Sequence, residues 1–171
     1  MTNRRTRQGK QFEDECRASL IHLSEKWERF WWTRIYDAKS YYAINPRLQA
    51  PKTPCDFMAL CNGRLFAIEC KSSSTRGRYA FQYVKEHQKQ SLLAIDEAGG
   101  EGWILLSWRR WSHTPRKANR LWGFRIKSWL AMEAEEEKKS VAWQTVIQKG
   151  KEFKRHPPYW ELDSLFMKVR N

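Results

Sequence analysis

The stretch that decides the fold is DFMALCNGRLFAIECK, Asp56 to Lys71. Two largely apolar runs, Asp56 to Cys61 and Arg64 to Lys71, flank Asn62-Gly63. Asn-Gly in that setting signals a tight hairpin, because both central residues of a type I′ turn need positive φ. A two-residue turn sets the register: Cys61 faces Arg64, Leu60 faces Leu65, Met58 faces Ala67, and Asp56 faces Glu69. Directly opposed residues have Cβ atoms about 4.5–5.5 Å apart and point to one side of the sheet. Lys71, two residues past Glu69, shares that side. Three ionisable groups are therefore expected at one end of an otherwise apolar hairpin.

Opposed carboxylates repel and destabilise a sheet, so something must offset Asp56 against Glu69. A divalent cation does so naturally: Mg²⁺ takes one or two protein carboxylates and keeps several waters. Such an ion would polarise a phosphodiester and acidify a water. Lys71 would stabilise charge on the phosphate oxygens or orient the water. The competing reading has the acids facing solvent with Lys71 as their salt-bridge partner, and short motifs often match by chance. The apolar strands and the tight register weigh against it.

Working outward, residues 8–29 read as a helix, with Phe12, Cys16, Leu20, Leu23 and Trp27 on one face. Glu13 falls on or beside that stripe, an odd place for a surface acid. A strand is expected from Trp31 to Asp37, then a protruding loop over residues 38–54, broken by Pro46, Pro51 and Pro54. A polar stretch, Ser72 to Arg78, precedes a second helix over residues 80–98, which carries Phe81, Val84, Leu92 and Ile95 on one face and stops at Gly99-Gly100. Gln88 is polar on that apolar face. Glu13 and Gln88 read either as satisfied boundary residues or, together with the hairpin, as the lining of one cleft. His87 sits about 100° round the helix from Gln88 and is not read as a general base. Strands over Trp103–Trp108 and Leu121–Ile126 enclose a basic loop with Arg109, Arg110, Arg116, Lys117 and Arg120. Ser128 is expected to cap a helix through Lys138, and Glu133 to Lys139 reads as a solvated charge run. From residue 140 on the pattern is undetermined and is treated as a C-terminal extension. The element order points to a single α/β domain over residues 1–171, with a central mixed sheet flanked by helices.

The chain carries 32 basic against 19 acidic residues, a net charge of +13, with 41% hydrophobic residues. An excess of that size opposes compaction and suits a polyanionic partner. No apolar run approaches the roughly 20 residues of a membrane span, and the basic N-terminus lacks a signal peptide's apolar core. Nucleic acid is the leading partner. Cys16, Cys55, Cys61 and Cys70 form no CxxC pair. Buried free thiols are expected, hence a reducing cytoplasm, of a cell or an infected host. Ten tryptophans are expected mainly in the core and its boundary, with one or two able to stack on bases.

With these residues assembled, the chain resembles the PD-(D/E)XK nucleases, and among them Holliday junction resolvases of the RecU and archaeal Hjc types. The matching pieces are Gly9-Lys10-Gln11-Phe12-Glu13, Asp56-Phe57, Ile68-Glu69-Cys70-Lys71 and His87-Gln88, with Gly99-Gly100 before an apolar strand. They span about residues 9 to 108. Pro54-Cys55 departs from the small hydroxyl residues usual before the acid. The resemblance implies a restriction-endonuclease-like core, with Glu13, Asp56, Glu69, Lys71 and Gln88 catalytic. Of these, Asp56, Glu69 and Glu13 would ligate Mg²⁺, with Mn²⁺ as a substitute. It implies a homodimer cutting four-way DNA junctions. Phosphate contacts are expected from Arg4, Arg5, Arg7 and Lys10 of a basic arm, from Arg34, Arg47 and Lys52, from Arg76 and Arg78, and from Arg116 and Lys117 of the 109–120 loop. Arg34 equally reads as a cross-strand structural residue. Two alternatives stay open: a nuclease of this superfamily acting on duplex, flap or single strands, and a catalytically inactive DNA-binding module on the same fold.

Overall fold

A computed structural model describes residues 4–36, 52–109 and 119–167, with side chains from Arg7 onward. The first helix, α1, spans Arg4–Lys26. It begins earlier than the sequence pattern predicts, so Arg4 and Arg5 belong to the helix rather than to a free arm. Next come β1 (Phe30–Arg34), β2 (Phe57–Cys61) and β3 (Arg64–Ser73). The β2–β3 hairpin has the expected register, from Cys61 opposite Arg64 to Phe57 opposite Ile68. Its turn residues take the conformation the dipeptide is suited to, with φ of 49° at Asn62 and 77° at Gly63.

The expected helix over residues 80–98 is broken at its start. Arg78–Ala80 forms β4, Phe81–Tyr83 a single 3₁₀ turn, and the α-helix α2 covers only Glu86–Glu97. The physical reason is long-range: β4 pairs antiparallel with β7 (Ser140–Ala142), which holds residues 78–80 extended. The other end of α2 stops as the glycines foretell. Gly99 has φ 92°, its N–H bonds the Asp96 carbonyl, and the Gly100 N–H bonds the Ile95 carbonyl. That pair of bonds is a Schellman closure.

Strands β5 (Glu101–Arg109) and β6 (Asn119–Arg125) follow. The helix α3 (Ile126–Glu135) starts with Arg125, not Ser128, at its N-cap, so Ser128 lies inside the first turn. The C-terminal region is built into the fold. It supplies α4 (Trp143–Lys149), β8 (Lys151–Phe153), β9 (Arg155–His156), β10 (Tyr159–Trp160) and α5 (Asp163–Phe166). The main sheet runs β1-β2-β3-β5-β6-β8. The β3–β5 pair is parallel and the other pairs are antiparallel, so the sheet is mixed.

Apolar residues separate into two cores, one on each face of the sheet. On one face Phe12, Cys16, Leu20 and Leu23 of α1 meet Phe57, Ile68, Trp103 and Leu105, joined by Trp160 and Phe166 from the C-terminal segment. On the other, Leu92 of α2, Trp129 of α3 and Trp143 of α4 cover Ala67, Ile104, Leu106 and Trp122. The expected central mixed sheet between helices is thus present. Trp103, Trp122, Trp129, Trp143 and Trp160 are buried, and all four cysteines are buried free thiols. No described helix is long and apolar enough to cross a membrane.

Candidate active site

The acids gather where β2 and β3 leave the Asn-Gly turn behind and β1 ends beside them. Asp56 sits one residue before β2, yet it is held as though in the sheet: its N–H bonds the Ile68 carbonyl at 3.1 Å and its carbonyl accepts from Ile35 N–H at 2.9 Å. One carboxylate oxygen, Oδ2, accepts the Cys70 N–H at 2.7 Å. That bond points the acid across to Glu69. Glu69 is 1% exposed. Its Oε1 accepts from Gln88 Nε2 at 2.7 Å and also from the Lys71 ammonium. Its Oε2 is buried without a hydrogen-bond partner.

Gln88 joins this acid to the start of α2. While Nε2 donates to Glu69, Oε1 accepts the Lys85 backbone N–H at 3.0 Å, closing the helix N-terminus. One amide therefore locks both a helix end and the orientation of a buried carboxylate. Glu13 reaches the site from the opposite face of the sheet, off α1, so the expected single cleft lined by Glu13 and Gln88 is an arrangement around the strand ends. Its carboxylate pairs with Arg34, whose guanidinium lies over the Phe57 and Tyr36 rings, 5.9 and 5.4 Å from their centroids. Arg34 thus braces Glu13 against the end of β1.

Electrostatics show an excess of buried negative charge. Burial, and then the Asp56 charge, push the Glu69 carboxyl up to about 8. Burial also raises Asp56, against the lowering effects of the Cys70 N–H, Lys71 and Arg34. Glu13 is raised by burial and then by Asp56. Three acids that resist ionisation beside one another, with an orphaned buried oxygen among them, suit a cation. No three His, Cys, Asp or Glu side chains among the described residues form a ligand cluster by themselves. A hard divalent ion needs only one or two carboxylates and completes its shell with water, and the Asp56–Glu69 pair fits that demand.

The expected phosphate contacts divide. Arg7, Lys10, Lys52 and Arg76 are exposed. Lys52 lies near enough, with Lys71 and Lys85, to help burial hold the His87 pKa down. Arg78 is engaged with Glu136 at 2.6 Å and with the Ser140 hydroxyl at 2.9 Å. The Arg4 and Arg5 side chains, Arg47, Arg116, Lys117 and nearly all of the 38–54 loop lie outside the described residues. Arg109 corrects the expectation of a wholly DNA-facing basic loop. It is buried, in a two-bond pair with Glu15 at 2.8 and 2.9 Å. Arg120 pairs with Glu152. Glu133 and Glu136, expected in a solvated run, pair with Lys89 and Arg78.

The Glu15 cluster escapes sequence reasoning. Besides Arg109, Glu15 accepts from Arg155 at 3.2 Å and from Trp160 Nε1 at 3.0 Å, while Ser19 Oγ accepts the Trp160 N–H at 2.8 Å. The only local signal is a pair of polar residues four apart on the shoulder of the α1 stripe.

The family model described as Recombination protein U matches residues 35–161. The chain belongs to that family. RecU proteins are Holliday junction resolvases, endonucleases acting on four-way DNA junctions. The match contains Asp56, Glu69, Lys71 and Gln88, leaves Glu13 outside, and extends well past residue 108, where the recognised motifs end. No curated protein matches the chain. Among solved structures, Hjc from Archaeoglobus fulgidus, a Holliday junction resolvase from an archaeal hyperthermophile, is 20% identical with a TM-score of 0.46, over 84% of this chain and 95% of that one.

Proposed function

We propose that this RecU-family chain resolves four-way DNA junctions by divalent-metal-dependent phosphodiester hydrolysis at the Asp56–Glu69–Lys71 site. The observation that carries the site assignment is the buried, partnerless Oε2 of Glu69 beside Asp56. Asp56 and Glu69 would hold Mg²⁺, or Mn²⁺ in its place, while Glu13 is paired with Arg34. Bound there, the ion supplies polarisation of the phosphodiester and acidification of water.

This chain's own groups do the rest. Cys70 N–H and Gln88 fix the two carboxylates, so neither must reorient during reaction. Lys71, now paired with Glu69, carries the positive charge that stabilises the extra charge on the phosphate oxygens in the transition state. Arg34 keeps Glu13 directed at the site. Arg7, Lys10, Lys52 and Arg76 supply phosphate contacts that hold the substrate without reading its sequence. Two symmetric nicks need two such sites, which a homodimer provides. Four buried, unpaired thiols fit a reducing, cytoplasmic location.

The test separates chemistry from binding. Asp56→Asn is expected to bind a four-way junction as tightly as the parent and to cut it at least a hundredfold more slowly, an order typical for loss of a metal ligand's charge. Loss of binding and cleavage together, with a lowered melting temperature, would assign Asp56 a structural role instead.

A further inference from the structure

A cavity of about 210 Å³ opens next to Lys71, lined by Gln8 of α1, Ser72 near the end of β3, Thr75 just past it, and Tyr79 and Tyr83. A water occupies about 30 Å³ of liquid volume, so there is room for a phosphodiester with some of its hydration. The wall is built rather than incidental. Thr75 carries the strap that follows β3: its carbonyl accepts from both Trp108 Nε1 and Trp143 Nε1 at 2.9 Å, and those indoles stack 4.9 Å apart. Its N–H bonds Ser73 Oγ at 3.2 Å and its hydroxyl donates to the Arg78 carbonyl at 3.0 Å. The strap's shape is thereby held by two tryptophans that have no catalytic part.

In this wall, Tyr79 carries a polar atom that the protein leaves unmatched. It is 1% exposed, and its ring is fixed against Tyr83, Trp129 and Trp143. Yet its hydroxyl has no hydrogen-bond partner within the protein. A buried hydroxyl without a partner is destabilising, and a phenylalanine would fill the same space without that cost. Burial, and next the nearby Glu69 charge, keep the phenol protonated, so it can only be a donor toward an anion.

We propose that this cavity is a phosphate subsite, in which Tyr79 and Lys71 hold a backbone phosphate of the cut strand adjacent to the scissile one. Tyr79, Lys71 and Gln8, which line this cavity together, each carry a donor suited to a phosphodiester oxygen, and no base edge needs to enter it. The proposal rests on the nuclease reading of the neighbouring acids, because Lys71 would then bridge the scissile phosphate and its neighbour. Tyr79 acts by placing the strand, so its removal should raise KM more than it lowers kcat.

The test pairs Tyr79→Phe, which keeps the ring and removes only the hydroxyl, with four-way junctions carrying one methylphosphonate at each position flanking the cut. Dissociation constants are measured in Ca²⁺ and cleavage in Mg²⁺. With the parent protein, one flanking methylphosphonate should weaken binding about tenfold, the size of one hydrogen bond to a charged group. Tyr79→Phe should weaken binding of the unmodified junction by a similar factor, and that same methylphosphonate should then cost clearly less than it costs the parent, because only Lys71 still meets the phosphate charge. Additive losses, or parent-like binding by Tyr79→Phe, would overturn the subsite and leave a cavity filled by water. Failure of the parent to cut in any divalent metal would remove the nuclease reading, while the binding cycle would still decide the subsite.

Discussion

At the scale of single residues, the proposed chemistry centres on Glu69. Its carboxyl sits at about 8 in the fold against an ordinary value of 4.5, through burial first and the Asp56 charge second. The folded chain therefore keeps a proton between pH 4.5 and 8 that the unfolded chain has released. Without metal, the Glu69 contribution to stability must fall as pH rises through that window and level off above it. A cation bound by Asp56 and Glu69 competes with the same proton, so its affinity should climb about tenfold per pH unit toward pH 8 if one proton is displaced. Melting temperatures with and without Mg²⁺ at pH 6, 7 and 8 check this. The metal-free value should drop with pH and the Mg²⁺-induced rise should grow, whereas a rise independent of pH would mean the ion sits elsewhere. The Asp56, Glu69 and Lys71 placement was legible from sequence because a two-residue turn propagates register over only a few residues. Tyr79 was not, because nothing local distinguishes a tyrosine whose hydroxyl is satisfied from one whose hydroxyl is not.

At the scale of elements, the start of α2 and the site are one construction. Gln88 closes the helix N-terminus through Lys85 N–H and orients Glu69 through Nε2. Gln88→Ala is expected to slow junction cleavage about 10–100-fold, the usual cost of losing an outer-shell partner of a metal ligand. Its cost in stability should be about 1 kcal/mol, that of losing a cap. Single-turnover rates alongside thermal melts measure both, and a loss of activity that only tracked the unfolded fraction would refute the orienting role. The α2 boundary itself was misjudged from sequence. Phe81, Val84, Leu92 and Ile95 have helical spacing, but pairing of Arg78–Ala80 with Ser140–Ala142 starts the segment as a strand. Local periodicity carries no information about a partner some sixty residues away. The same holds for Arg109, whose basic neighbours suggested a DNA-facing loop and whose actual partner, Glu15, lies on α1.

At the scale of the whole molecule, a mixed sheet divides two cores, and the groups proposed as catalytic converge at one end of it from both faces. Glu13 and Arg34 belong to the α1 side, while Gln88 and Lys71 belong to the α2 side. The sheet and its flanking helices could be read from periodicity up to Ile126. The C-terminal strands could not, because Trp160 is held by Glu15 and Ser19, contacts with no short-range signature. The net charge of +13 reports a polyanionic partner but is silent on its branching, and the family supplies that step. The most direct measurement is cleavage of an end-labelled four-way junction beside a linear duplex of the same sequence, in Mg²⁺ and in chelator. Paired, symmetric nicks in the junction, little cutting of the duplex and none in chelator are the expected result. Equal cutting of junction and duplex, or no cutting with any divalent metal despite tight binding, would contradict the assignment of this site to junction resolution.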